Sequence, residues 1–231
     1  MKIILGIAGE IASGKGTVAR HIEEKHGGSS HRFSTVLRDV AKRMHLEENR
    51  ENLQKISTIF RENFNEDILS EVICQDVAED TKQIIVIDGV RRMADIDRLR
   101  SLAGFKLVFI DANVDIRYQR ITHRRENSDD EHKSYAEFVA DHEREAESQI
   151  EDLKNYADFV VNNEGTFLEL YHQIDKIIDT IRENPSVTTK ELIIKTGLGR
   201  RWVEWNLSVL KERGIVRRIG PDKGGHWELL G

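Results

Sequence analysis

Seven residues, Gly9-Glu10-Ile11-Ala12-Ser13-Gly14-Lys15, satisfy the spacing G-x-x-x-x-G-K, and what surrounds them limits the fold more than any other part of the chain. An apolar run, Ile3–Ala8, precedes the loop, and an amphipathic stretch with helical periodicity follows it. A strand that ends in such a loop and opens a helix gathers backbone N–H groups at the positive end of the helix dipole, which is a ready cradle for phosphate oxygens. Lys15 then reaches the terminal phosphates as a point charge. The pattern implies a nucleoside triphosphate held with Mg²⁺; the alternative is a glycine-rich turn that only packs a strand on a helix.

Further apolar, β-branched runs occur at Gln83–Val90, Phe105–Asp111 and Asp158–Val161, with a weaker strand ending near Arg32-Phe33. Short, almost uninterrupted runs suit strands covered on both faces. The stretches between them carry helical periodicity, roughly over 15–26, 35–45, 50–80 with a break, 93–103, 114–125, 135–155 and 166–183. The expectation is an α/β chain, a three-layer α/β/α arrangement around a mostly parallel five-stranded sheet.

The 231 residues leave room for a second, smaller unit. Pro185 marks the division: residues 184–231 hold nine Lys/Arg against five Asp/Glu, net +4, and residues 1–183 hold 26 against 36, net −10. Cys74 is the single cysteine, which removes any intramolecular disulfide or cysteine-built zinc site and fits a reducing, cytoplasmic setting. The nine histidines show no metal-ligand spacing, and the apolar start is too short to span a bilayer, so thiol-protease, zinc-hydrolase and membrane readings find no support.

Gly16 stands where such loops usually carry the Mg²⁺-ligating hydroxyl, and Thr17 follows it. The ending Gly-Lys-Gly-Thr resembles the nucleoside monophosphate kinases, adenylate kinase among them. Several later segments extend the likeness. "FSTVLRDV" resembles a Ser-Thr turn leading to an acceptor-phosphate arginine, here Ser34, Thr35 and Arg38; "VIDGVRR" resembles the D-G-x-P-R segment, with Asp88, Arg91 and Arg92. Together with "ENLQKISTIFRENF" and "NNEGT", these segments resemble a dephospho-CoA-kinase-like or adenylate-kinase-like group over most of residues 1–183. The resemblance implies that Gly9, Ser13, Gly14, Lys15, Gly16 and Thr17 hold ATP, with Asn163 in an adenine-cradling loop. It implies that Thr17 and Asp88 attend Mg²⁺, and that Ser34, Arg38, Gln54, Arg61, Arg91 and Arg92 bind the acceptor. It also implies a lid over roughly 117–150, in which Arg120 and Arg124, from a helix that also bears Arg117, clamp the transferring phosphoryl group. Bland readings stand beside these: an exposed helix arginine at 38, a strand-end turn at Asp88, a helix that simply caps the sheet at 54–61, and a solvated, ion-paired hairpin across the lid.

Related kinases that phosphorylate a hydroxyl place a carboxylate at the end of the second strand. Here Phe33-Ser34-Thr35 fill that place and the next carboxylate is Asp39. This departure favours an acceptor that already bears phosphate, a nucleoside monophosphate ahead of dephospho-CoA, with Asp88 left as the available base.

The basic tail has its own organisation. Thr188-x-x-Glu191 forms a capping box, a second helix is expected over about 199–213, and two alternating stretches, Ile215–Ile219 and His226–Leu230, read as a hairpin. The order resembles a winged helix-turn-helix, which implies Arg200 and Arg201 in a DNA groove and Lys223 on phosphate. A protein-contact module anchored by Trp205 is the alternative. If the tail reads DNA, the whole chain has a second interpretation as a nucleotide-sensing regulator rather than an enzyme.

Overall fold

The computed structural model describes residues 2–124, 134–140, 150–183, 216–219 and 226–229. The chain divides into two compact units, Met1–Tyr171 and His172–Gly231.

In the first unit the strands are β1 (Ile3–Ala8), β2 (Ser29–Arg32), β3 (Ile84–Val90), β4 (Phe105–Asp111) and β5 (Phe159–Asn162). They form one sheet in the order β2-β3-β1-β4-β5, with every neighbouring pair parallel. The helices are α1 (Lys15–His26), α2 (Phe33–Arg43), α3 (Arg50–Asn63), α4 (Ile68–Glu79), α5 (Met93–Leu99), α6 (Val114–Arg124), α7 (Tyr135–Ala140), α8 (Ile150–Leu153) and α9 (Phe167–Glu183), the last of which carries the boundary between the units.

Both faces of the sheet are buried, which is why its strands read as continuous apolar runs. Side chains on one face, Ile4, Ala8, Ile85, Ile87, Leu107 and Phe109, share a core with Leu37 of α2, Ile56 of α3, Ile73 of α4 and Leu99 of α5. Their neighbours in sequence, Leu5, Ile7, Val86, Val108 and Ile110, point the other way and are also fully buried. Each such side chain contributes roughly 1.5–3 kcal/mol on burial, so the sheet has stability to spare for a strained loop at its edge.

The connections run from central β1 outward to β2, back to β3, and then across β1 to β4 and β5. In an open parallel sheet, ligands bind beyond the carboxyl ends of the strands where this winding changes direction, and here that place is the end of β1. Two sequence expectations shift by a few residues. Helix α2 starts at Phe33 rather than near 35, because the buried Phe33 anchors the first turn in the core; Ser34 and Thr35 therefore lie inside the helix and make no separate turn. Helix α5 ends at Leu99 rather than near 103, since Gly104 takes φ 87° and its Cα passes so close to the Lys2 carbonyl that a β-carbon would stand 2.3 Å from that oxygen.

In the second unit, β6 (Val216–Ile219) and β7 (His226–Leu229) pair antiparallel, Val216 opposite Leu229 and Ile219 opposite His226, as the alternation in the sequence requires. The helices expected before this hairpin, and Arg200, Arg201 and Lys223, lie outside the described residues.

Candidate active site

The loop from Gly9 to Gly14 joins β1 to α1 and is shaped by two glycines. Gly9 has φ 145° and Gly14 has φ 107°, both in the region that side chains rarely adopt. A β-carbon on Gly9 would stand 2.5 Å from the Ile110 carbonyl oxygen, and one on Gly14 would stand 2.3 Å from Asn163 Nδ2. Ala12 also has φ 60°, a strain of roughly 1 kcal/mol. That strain is sustained from beneath: Ile11 and Ala12 are buried in a small core with Ile121 of α6 and Phe138 of α7.

Polar braces complete the support. Arg117, 3 % exposed, donates from Nε to the Ala112 carbonyl and from Nη1 to the Ile11 carbonyl, and its Nη2 lies 2.9 Å from Glu10 Oε1. Its guanidinium also sits 5.7 Å from the centroid of the Phe138 ring. Asn163, equally buried, donates from Nδ2 to the Ser13 carbonyl at 2.7 Å, and its own carbonyl accepts from Arg120 Nη2 at 2.8 Å. Asn163 therefore fixes the phosphate loop, and Arg117 bolts the same loop to α6. Lys15 Nζ donates to the carbonyls of Gly9 and Glu10, which holds the ammonium over the loop.

Asp88 stands near the end of β3, opposite Ile7 of β1 and Arg32 of β2. The register slips immediately afterwards, where Gly89 takes φ 91° and Ala8 pairs with Val90; this bulge bends the strand next to the carboxylate. Asp88 Oδ2 lies 2.9 Å from Arg32 Nε, while Oδ1 is buried with no hydrogen-bond partner among the described residues. A buried carboxylate oxygen left this way is costly unless a cation or its water satisfies it. With the Thr17 hydroxyl at the start of α1, this donor set fits the oxygen ligands Mg²⁺ requires. The ion, when bound, neutralises charge on the terminal phosphates.

A cleft of about 900 Å³ opens here, lined at one end by Gly14, Lys15, Gly16 and Thr17 and further along by Ser34, Arg38, Gln54, Arg61, Arg91 and Arg92, with Asp88 and Arg120 between. The described structure thus brings most of the sequence-derived residues of the first unit to one cavity, while Gly9 and Ser13 lie in the loop but not in its described lining. The described lining holds nine Lys/Arg against three Asp/Glu, although residues 1–183 as a whole are net negative. Arg120 has Nη1 buried without a hydrogen-bond partner among the described residues, and burial pushes its guanidinium below its ordinary pKa. Arg124 ends α6, and its side chain lies outside the described residues.

The arginines differ in commitment. Arg38 lies 3.5 Å from Glu48 Oε2 and Arg92 3.6 Å from Glu66 Oε2, both with half-exposed or exposed partners. Arg61 is different: 6 % exposed, it pairs with the buried Asp95 at 2.9 Å and donates to the Glu66 carbonyl, so its fixed task is to tie α3 to α5. Burial pushes the Asp95 carboxyl above its ordinary pKa, and the Arg61 guanidinium opposes that rise.

Sequence reasoning missed Arg32, whose importance depends on β2–β3 register, and missed Arg20 and Arg50, which also line the cleft. Neither of these two falls at a position that the glycine loop, a strand end or the kinase resemblance singles out.

Two archaeal relatives share much of the chain. The UPF0200 protein of Methanothermobacter thermautotrophicus is 26 % identical over 182 residues, which cover 78 % of this chain and 92 % of that protein. The UPF0200/UPF0201 protein of Archaeoglobus fulgidus is 27 % identical over 227 residues, 96 % of this chain and 66 % of that protein. Among solved structures, TT1252 from Thermus thermophilus superposes with a TM-score of 0.54 at 14 % identity, covering 78 % of this chain and 98 % of that one. A shikimate kinase from Bacteroides thetaiotaomicron superposes with a TM-score of 0.52 at 13 % identity, again covering 78 % and 98 %. These likenesses show a P-loop kinase-like fold, and residues 6–137 match the AAA domain family AAA_17. Since that match spans more than half of the sequence, the chain belongs to the AAA_17 family of AAA domains.

Proposed function

We propose that the first unit catalyses ATP-dependent phosphoryl transfer, with Mg²⁺, to a small nucleotide that already bears phosphate, a nucleoside monophosphate ahead of dephospho-CoA. One observation carries this reading: a single cleft runs from the phosphate loop to a cluster of arginines, and the end of β2, where related kinases of hydroxyl acceptors place a carboxylate, carries Arg32 followed by Phe33-Ser34-Thr35. Phosphoryl transfer needs alignment and charge neutralisation more than covalent chemistry. Lys15 and the loop amides take the donor phosphates, Arg120 and Arg124 meet the charge that passes between the two substrates, and Arg38, Arg91 and Arg92 hold the acceptor. A kinase-like fold supports the class of reaction, and the surplus of cations supports an anionic acceptor.

The test is a substrate panel: ATP and Mg²⁺ with each ribonucleoside monophosphate and with dephospho-CoA, following ADP. Acceptor-dependent ADP that vanishes in Lys15→Ala is the expected result, and no ADP with any acceptor overturns the proposal.

For residues 184–231 we propose a winged helix-turn-helix that contacts duplex DNA through Arg200, Arg201 and Lys223. The antiparallel pairing of β6 and β7 supports a wing. Retention of the full chain on duplex DNA that weakens steeply with salt is expected; no retention at low ionic strength excludes it.

A further inference from the structure

The structure assigns Arg32 a task beyond binding: we propose that it is a positioning residue that couples the two ends of the cleft by sharing Asp88 with the metal. The inference rests on the kinase reading above. Arg32 and Asp88 are register partners on adjacent strands, joined Nε to Oδ2 at 2.9 Å. The Arg32 side chain is 43 % exposed and Asp88 is 9 % exposed, so the guanidinium reaches solvent at the wall of the cleft and can turn toward a ligand, while the buried carboxylate then calls for another cation in its place.

Three further observations give the pair a direction. Asp88 keeps Oδ1 buried and, among the described residues, unpartnered, so the carboxylate has capacity for a second cation that Arg32 does not fill. The other end of the same guanidinium lies near the start of α1, with Arg32 Nη2 3.7 Å from where a β-carbon on Gly16 would stand, an ordinary contact distance. Arg32 also lines the cleft with Ser34 and Arg38, on the acceptor side. One side chain thus pairs with Asp88, passes near Gly16 of the loop and lines the same cleft as Ser34 and Arg38.

An anionic acceptor draws the guanidinium away from Asp88 and leaves the carboxylate uncompensated for Mg²⁺. With no acceptor, Arg32 on Oδ2 neutralises part of the carboxylate's charge and weakens its hold on Mg²⁺ at Oδ1. Acceptor and metal-nucleotide binding are therefore mutually strengthening, and by linkage each shifts the other by the same factor.

The experiment is calorimetric titration of the full chain with a non-hydrolysable ATP analogue over a Mg²⁺ series, alone and with AMP, CMP, GMP or UMP in turn. In the wild type, at least one monophosphate is expected to lower the half-saturating Mg²⁺ concentration by about fivefold. In Arg32→Gln that concentration is already low without monophosphate and the further effect disappears, whereas Arg32→Lys keeps part of the coupling. Arg32→Lys keeps a cation beside Asp88 and is expected to melt like the wild type, and Arg32→Gln, which leaves the buried carboxylate unpaired, is titrated at a temperature where its melting curve shows it folded. An unchanged monophosphate effect in Arg32→Gln overturns the coupling, as does its absence from the wild type while the analogue still binds. Failure of the wild type to bind the analogue at any Mg²⁺ concentration is a separate result, which removes the kinase reading itself.

Discussion

The two ends of the cleft are built by different means. At the donor end the chain is held by buried contacts: Ile11 and Ala12 in a core with Phe138, Asn163 on the Ser13 carbonyl, and Arg117 on Ile11 and Glu10. At the acceptor end Arg38 and Arg92 reach exposed glutamates, and nearby apolar side chains remain in solvent, with Met44 65 % and Phe64 70 % exposed. A triphosphate needs a preorganised cradle, because donors already aimed at developing charge cost no reorganisation during reaction. On the acceptor wall Arg38 and Arg92 instead stand in long pairs with exposed glutamates, while Arg61 is fixed to Asp95. On the proposed reading the contrast separates fixed machinery from a surface that selects a ligand, and each end is tested by its own kind of variant.

The largest effect is expected at the donor end. Lys15→Ala should lower turnover by about 10²–10³-fold in the ADP assay with a small drop in melting temperature, since it removes the charge on phosphate and two hydrogen bonds to loop carbonyls. Arg61→Ala comes next and lowers stability rather than catalysis: leaving Asp95 buried without its partner costs roughly 3–5 kcal/mol, read by chemical denaturation. If that variant melts like the wild type, Arg61 belongs with Arg38 and Arg92 instead. At the acceptor wall, Arg38→Ala should raise the acceptor KM by about tenfold, leave the ATP KM within about twofold, and cost less than about 0.5 kcal/mol of stability.

The smallest effect concerns the sheet edge that carries Arg32. Burial tends to raise the Asp80 carboxyl, but hydrogen bonds from Ser29, the Lys82 amide and His31 outweigh it and hold the pKa down to about 2 from 3.8. A carboxyl depressed in the folded state contributes stability that is complete above pH 3.8 and is lost as pH falls toward 2. Asp80→Asn should therefore be less stable than the wild type at pH 7, by on the order of 1 kcal/mol, with the difference shrinking over that acid window.

Much of this was legible in the sequence because it is local. The strands showed as apolar runs because both faces are covered, and the loop showed because only glycine fits at 9 and 14. Asp88 stood out as the polar residue near the end of such a run. What stayed hidden depends on residues far apart in the chain. The Arg32–Asp88 pair requires β2 to lie beside β3 in one register, and the Arg61–Asp95 pair requires α3 to approach α5. Asn163 was expected in an adenine loop by resemblance, and its bond to the Ser13 carbonyl follows from β5 lying beside β4, where the Asn163 amide meets the Asp111 carbonyl. Turn chemistry misplaced the start of α2, because a buried Phe33 outweighed the Ser-Thr preference for a turn.

The central claim, that one cleft holds a triphosphate at one end and an acceptor phosphate at the other, is tested most directly by a bisubstrate ligand. Two adenosines joined by five phosphates should bind more tightly than ATP in calorimetry, and should lose at least tenfold in affinity in both Lys15→Ala and Arg92→Ala. Binding no tighter than ATP, or binding indifferent to Arg92, would contradict a shared site.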